Sequence, residues 1–385
     1  MKAPTLILSL FFLMFTAQLF AGGWIQRSNF GAVGRHRATG FSIGTKGYAG
    51  LGHYNGTGLN VIYKDWWEFD PATNAWTQKA DYIGNNGNGN YGVISFAIGN
   101  VGFVGGGQIN TSPEFYRFDP IANTWAVAAS CPSAPSNLYG FSIGNFGYYI
   151  SWSTMYKYDP VLDQWTTLPT LPFSVGSWSS AFAIDGIGYV KDYNDLWKYD
   201  PATGLWEQKT GFPGTAVSAS VSFTHMGKGY IVSGFTGAWS DVVSEVCEYD
   251  PVTDSWVLLE EFPGTSRRFA VGFTVGNRAY LGLGTNGTNF SDFWEFTGTI
   301  GLEESERLFD IQAFPNPASD HITIAHPLNE DFLLTVTDPL GKIVREEHAY
   351  TGEYRLERGT LPAGKYFYTI TTQAGNHLTN SFIFQ

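Results

Sequence analysis

Four arginines stand in two close pairs, Arg35 with Arg37 and Arg267 with Arg268, in a chain with only 22 Lys and Arg among 385 residues. A guanidinium holds carboxylate or phosphate oxygens through parallel N–H donors. Clustered arginines can therefore line a pocket for an acidic ligand, an acidic sugar for instance, or else neutralise acids on a solvated rim. Tyr54, Trp178, Trp239 and Phe290 fall in loops or at strand starts, where an aromatic ring can stack on a sugar or pack internally. Of the seven His, only His36, His53 and His225 precede residue 300. They have no metal-ligand spacing, and neither Cys-x-x-Cys nor an acidic calcium loop occurs. No metal and no cofactor is expected, and no catalytic residue is assigned. The formal charge of −12 argues against nucleic acid and anionic membranes as partners, since both reward clustered Lys and Arg.

The elements that must position these residues are short strands. Aromatic residues make up 17% of the chain against 15% charged, with 46 Gly, a balance that suits pleated surfaces joined by tight turns. One motif recurs as Asp70-Pro71 to Trp76, Asp119 to Trp125, Asp159 to Trp165, Asp200 to Trp206 and Asp250 to Trp256, always preceded by Phe or Tyr. A second motif lies upstream of each copy and occurs six times: Gly47-Tyr48, Gly102-Phe103, Gly147-Tyr148, Gly188-Tyr189, Gly229-Tyr230 and Ala279-Tyr280. The repeated Trp lie about 40 to 50 residues apart, the period of four-stranded propeller blades. In blade one the spacing predicts strand one over 36–43 and strand two over 47–52. Strand three is the aromatic run before Asp-Pro, and strand four begins at the Trp. Six Gly-Tyr motifs against five Asp-Pro-Trp motifs leave the last blade one strand short. Trp24-Ile25-Gln26-Arg27 is predicted to supply it, leaving no strand edge unpaired. Blades one and six then become neighbours, and the four arginines converge near one mouth of the ring.

The run Gly105–Gly107, the aromatic-Asp-Pro turns and the spaced Trp resemble Kelch repeats over residues 24–298. The fold class expected is all-β, a six-bladed Kelch β-propeller followed by a small β-sandwich. Trp67, Tyr116, Tyr156, Trp197, Cys247 and Trp294 share one face of the third strands, so Cys247 fills an aromatic packing slot. Cys131 falls between blades two and three, too far for a disulfide, and two free structural thiols are expected. The Asn-Gly stretch 85–90 reads as a flexible loop.

The ends carry addresses. Residues 1–21 combine Lys2, an apolar run over 6–15 and small residues at Ala17 and Ala21, the pattern of a signal peptide. Residues 22–298 form the propeller, 299–307 a polar linker and 308–385 a second unit with alternating strands. Its Phe314-Pro-Asn-Pro317, its Gly341-Lys342 turn and its Leu361-Pro-Ala-Gly-Lys-Tyr366 strand resemble the type A sorting domain of the type IX secretion system in Bacteroidetes. The final Ser381–Gln385 departs from that pattern in lacking a preceding basic residue. The resemblance implies the type IX machinery as a partner and a secreted or cell-surface protein, with no membrane span after signal cleavage; a monomer is expected. Three function classes stay open. The first is a binding module that recognises an extracellular glycan or protein through propeller loops. The second is a carbohydrate-active enzyme, a lyase or one similar to six-bladed Kelch sialic-acid mutarotases or epimerases. The third is a structural surface protein.

Overall fold

A computed structural model of the chain describes residues 23–298 and 312–385, apart from 57, 110, 111, 136–139, 217, 239, 315, 326–331, 340, 350–352 and 373–376. The signal-peptide and linker readings, and Trp239, lie outside the described residues. The chain divides between residues 299 and 300 into two compact units. No helix among the described residues is long and apolar enough to cross a membrane.

The first unit is six four-stranded antiparallel sheets, each a blade. Blade one orders Thr39–Ile43, Lys46–Gly50, Trp66–Asp70 and Ala75–Lys79 from the inside outward. Its inner strand begins three residues later than the pattern predicts, because Arg37 adopts a left-handed backbone (φ 52°) that breaks the pleat. The inner strands of blades two to six are Ile94–Ile98, Gly140–Ile143, Ser180–Ile184, Val221–His225 and Val271–Val275. The last sheet is completed by Trp24–Arg27, which pairs antiparallel with Phe293–Phe296 in the register Trp24 to Phe296 and Arg27 to Phe293.

Each repeated residue has a mechanical reason. The Asp of each Asp-Pro turn accepts a backbone N–H two residues on: Ala72 from Asp70, Ile121 from Asp119, Val161 from Asp159, Ala202 from Asp200 and Val252 from Asp250, all at 2.8–2.9 Å. This Asx turn fixes the outer hairpin. The following Trp reaches back to the preceding blade. Trp76, Trp125, Trp165 and Trp256 donate their indole N–H to the carbonyls of Ser28, Ala80, Ala129 and Thr210. The N–H groups of those same four residues donate to the side chains of Asn74, Asn123, Asp163 and Asp254. At the junction of blades three and four the equivalent positions are Pro169 and Gly204. Pro169 has no N–H to offer and Gly204 no acceptor, so the exchange is dropped from both sides together.

The Gly of the Gly-Tyr motif is required by close approach. A Cβ on Gly102, Gly147 or Gly229 would come within 2.1–2.2 Å of the inner-strand Phe of the preceding blade: Phe41, Phe96 or Phe182. Gly47 of blade one meets Phe273 of blade six in the same way, at 2.1 Å. The two ends of the ring are therefore packed together by the same close approach that joins blades one to two, two to three and four to five. Cys131 and Cys247 are both buried and free. Burial pushes both thiols up, Cys247 to about 12; they are inert packing groups.

The stretch 85–90 is pinned, against its composition. Asn85 donates from Nδ2 to the Gly89 carbonyl at 2.8 Å, and Asn90 donates to Gly106 while accepting from Tyr91 and Ile109. The buried amides of Asn85 and Asn90 take the place of a core there, while Asn86 and Asn88 are exposed. The second unit stacks a three-stranded sheet (Gln312–Phe314, His321–Ala325, Glu353–Glu357) on a four-stranded one (Phe332–Thr337, Ile343–Ala349, Gly364–Thr372, His377–Phe384). Ile322, Ile324, Leu334, Val336, Tyr368 and Phe382 form the core between them.

Candidate functional site

In an antiparallel four-stranded meander, the segment entering the inner strand and the segment joining strands two and three emerge on the same edge. Six blades therefore gather twelve such segments on one face of the ring. Below them runs an axial channel of about 280 Å³ lined by inner-strand residues, including Ser42, Ser95, Ser142, Ser222, Thr224 and Thr274. Its hydroxyls stitch neighbouring strands, as Ser222 does to the Ala181 carbonyl and Thr274 to that of Thr224. Among the described residues, no titratable side chain lines it; of the titratable groups singled out from the sequence, Arg37 and Arg268 stand at the mouth.

The mouth is a belt of left-handed residues. Arg37, Gly92, Trp178, Ala219 and Phe269 have φ between 52° and 64° and stand four residues before the inner Phe of their blades. Their backbones are joined in series. Gly92 N donates to Arg37 O, Arg37 N to Phe269 O, Phe269 N to Ala219 O and Ala219 N to Trp178 O, at 3.0–3.3 Å. The belt turns their side chains toward one another. Trp178 sits edge-on to Phe269, with centroids 5.2 Å apart. The Arg37 guanidinium lies 4.6 Å from the Phe269 centroid, 5.3 Å from Trp178 and 5.7 Å from Tyr91. Its Nη1 donates to Gln108 Oε1 at 3.0 Å. Arg268 adjoins this group through its own pairing with Thr285, and burial lowers its pKa from the ordinary value.

Two histidines complete the cup. His36 and His53 exchange both backbone hydrogen bonds, at 3.0 and 2.9 Å, and their rings lie 5.0 Å apart. His53 is stacked flat on Tyr91 at 4.4 Å. His36 Nε2 donates to Asn55 Oδ1 at 2.9 Å, and His53 Nε2 donates to Asn60 Oδ1. Both Nδ1 atoms are therefore bare lone pairs, buried without a partner among the described residues. Burial first, then the charges of Arg37, His53 and Arg268, push the His36 pKa down to about 4 against the support of Asn55. His53 is lowered as well, by burial and by Arg37. Both rings are neutral at pH 7.

A buried His that resists protonation destabilises the fold in acid. The unfolded chain takes up its proton below the ordinary 6.5, whereas folded His36 does so only near 4, so stability falls as pH drops through that window. His36→Gln should flatten the acid slope by about 2 kcal/mol at pH 5, while leaving stability at pH 8 within about 1 kcal/mol. Urea midpoints measured across pH 4–8 check this.

The structure divides the residues singled out from the sequence. Arg37, Arg268 and Trp178 meet at the mouth. Arg35 and Arg267 do not belong to a ligand pocket: both are fully buried rivets. Each forks onto one carboxylate, Asp65 at 2.5 and 3.0 Å and Asp292 at 2.6 and 2.8 Å. Each also donates to an equivalent carbonyl, of Leu51 or Leu283. Tyr63 covers Arg35 at 3.8 Å and Phe290 covers Arg267 at 4.4 Å, which gives Phe290 a packing role. Tyr54 follows His53 in the hairpin His53–Gly56, so it projects from the opposite face. His36, His53, Tyr91, Gln108 and Phe269 escape a reading of the sequence alone. Counting back four or five residues from each inner Phe would find Arg37, Trp178 and Phe269 on one belt, with His36 and Arg268 one step before it.

Comparison with known proteins adds the following. Residues 312–385 match the family described as the secretion system C-terminal sorting domain. This is the tail that the type IX secretion system handles, and the protein is exported, secreted or held at the cell surface. No curated protein matches the chain. Among solved structures it is similar to that of YjhT, with a TM-score of 0.58 and 13% identity over 69% of this chain and 95% of that one. Likeness at that identity establishes the propeller fold and not its chemistry.

Proposed function

We propose that the propeller is a Kelch-type binding module, exported through a type IX system of the Bacteroidetes kind, that takes an acidic sugar at the mouth of its ring. One observation carries the reading. Arg37 is held among the faces of Trp178, Phe269 and Tyr91, with Arg268 close enough for both charges to act on His36. Guanidinium groups match a carboxylate, and aromatic planes match the C–H face of a sugar ring.

The test is a glycan array probed with the full chain, followed by Arg37→Gln and Arg268→Gln. A charged hydrogen bond is worth about 1.5–3 kcal/mol. Each substitution should therefore weaken acidic sugars roughly ten- to hundredfold and leave neutral ones unchanged. Undiminished binding in both variants would overturn the reading. A second reading, a mutarotase- or epimerase-like enzyme or a lyase on the same cup, is favoured by His36. A bound carboxylate would offset the charges of Arg37 and Arg268, which help hold its pKa down, and so raise it toward that of a working base. Anomer exchange or bond cleavage of the bound sugar, lost in His36→Gln, separates the two.

A further inference from the structure

Left-handed backbone positions on this propeller are filled in two different ways. On the face away from the mouth they hold Asn74, Asn123, Asp163, Asp254, Gly44, Gly99 and Gly144, with Met226 the exception. Those residue types tolerate positive φ at little cost. On the mouth face they hold large side chains as well as small ones, Gly92, Gly106, Ala219 and Ser233 among them. Arg37, Trp178 and Phe269 serve the cup, and Leu51 and Leu283 are fully buried. Among the large ones, two are accounted for by neither packing nor the cup. Trp152 (φ 56°) and Tyr193 (φ 49°) stand at the tips of the tight turns after Phe146–Ser151 and Ile187–Asp192, in adjacent blades three and four. They are 73% and 61% exposed.

Both tips border one segment, 171–179, which includes Trp178 of the cup. The Trp152 carbonyl accepts from Val175 N at 2.9 Å, and a Cβ on Gly176 would lie 3.7 Å from the Tyr193 ring. A small cleft between the blades opens there, lined by Val175, Gly176, Ser179, Ile150 and Val190. Asp192 stands at its edge, accepting from Gly176 N at 3.1 Å and Ser179 Oγ at 2.6 Å, both at Oδ1.

We propose that Trp152, Tyr193 and Asp192 form a second carbohydrate subsite, so that the ligand is a chain of several sugars running from the cup across segment 171–179. This rests on the glycan reading of the cup. Sugar rings present C–H faces to exposed aromatic planes and hydroxyls to a positioned carboxylate. The flanks of the tips are Ser151, Ser153, Thr154, Asn194 and Asp195, so the rings stand singly in polar surroundings. A protein partner would need a contiguous patch with an apolar centre.

Glycine at both positions removes the rings and relieves the backbone at once. The Trp152→Gly/Tyr193→Gly double variant of the full chain should keep or raise its melting temperature. The probes are array glycans in matched series from one to six sugars, acidic and neutral, quantified by calorimetry. The parent should gain at least tenfold in affinity between monosaccharide and longest oligomer. The double variant should bind every length as it binds the monosaccharide, and the monosaccharide itself should respond only to Arg37→Gln and Arg268→Gln. Oligomer affinity unaffected by the double variant would overturn the second subsite and leave the cup standing. Retention of no glycan of any length would overturn both. A concentration-dependent dimer in sedimentation that the double variant abolishes would assign the rings to a second copy of this chain, overturning the subsite.

Discussion

Asp292→Ala should cost the propeller about 3–5 kcal/mol of unfolding free energy, because it strands a guanidinium that has no route to water. Arg267 is fully buried, and its two strongest bonds go to the carboxylate of Asp292 at 2.6 and 2.8 Å. Burial pushes the Asp292 carboxyl upward, but the hydrogen bonds and charge of Arg267 outweigh it and hold the group below its ordinary range. The Trp294 indole N–H loses its acceptor in the same substitution. The Arg267→Met/Asp292→Ala double variant should recover most of the loss, since a removed ion pair leaves no uncompensated charge. All 13 Trp lie between residues 24 and 294, so urea unfolding followed by Trp fluorescence reads this unit alone. Equal midpoints for the single variant and the parent would mean that Arg267 finds water on losing its partner. Asp65→Ala, which strands Arg35 in the same frame of blade one, should behave alike.

Those two rivets also show where sequence reasoning stops. The blades, their number and the closing strand are legible because each rests on a periodic residue with a local role, whether an Asx turn, a Gly under a neighbouring Phe or a Trp reaching one blade back. Site residues have no period. Arg35 and Arg37 against Arg267 and Arg268 look like matching pairs, and they are not. Arg35 and Arg267 occupy the same place in their blades, whereas Arg37 is equivalent to Phe269 and Arg268 to His36. Only a register set by Phe41 and Phe273 exposes the one-residue difference, which sends one arginine of each pair into the core and the other to the mouth. His36 and His53 lie 17 residues apart without ligand spacing, so nothing in the sequence joins them; a backbone bridge, invisible in one dimension, sets their rings side by side. The stretch 85–90 misleads for the opposite reason. Asn and Gly mark mobile loops by composition, yet here the amides of Asn85 and Asn90 are buried and bonded, and Asn90 holds Tyr91 beneath the cup.

Trp24→Ala should be nearly as damaging as losing a rivet, at about 3–5 kcal/mol for a buried aromatic truncation. Trp24 is 3% exposed and packs on Phe296 at 4.8 Å, Phe262 at 5.0 Å and Phe223 at 6.2 Å. It therefore joins a four-residue strand from the start of the propeller to blade six and, through Phe223, to blade five. The other end of the strand is held by Arg27, whose Nε donates to buried Glu295 at 2.7 Å. Between them Gln26 faces solvent, and Gln26→Ala should change stability by less than about 0.5 kcal/mol. The contrast within one strand isolates side-chain packing from backbone pairing, which both variants retain. A large loss for Trp24→Ala alone, read as a shift in urea midpoint, means the ring is held shut by that indole. Equal small losses would place closure in the belt at the mouth, where Arg37 already bonds Phe269 across the same seam. In that case the cup itself, and not the N-terminal strand, would be the clasp of the propeller.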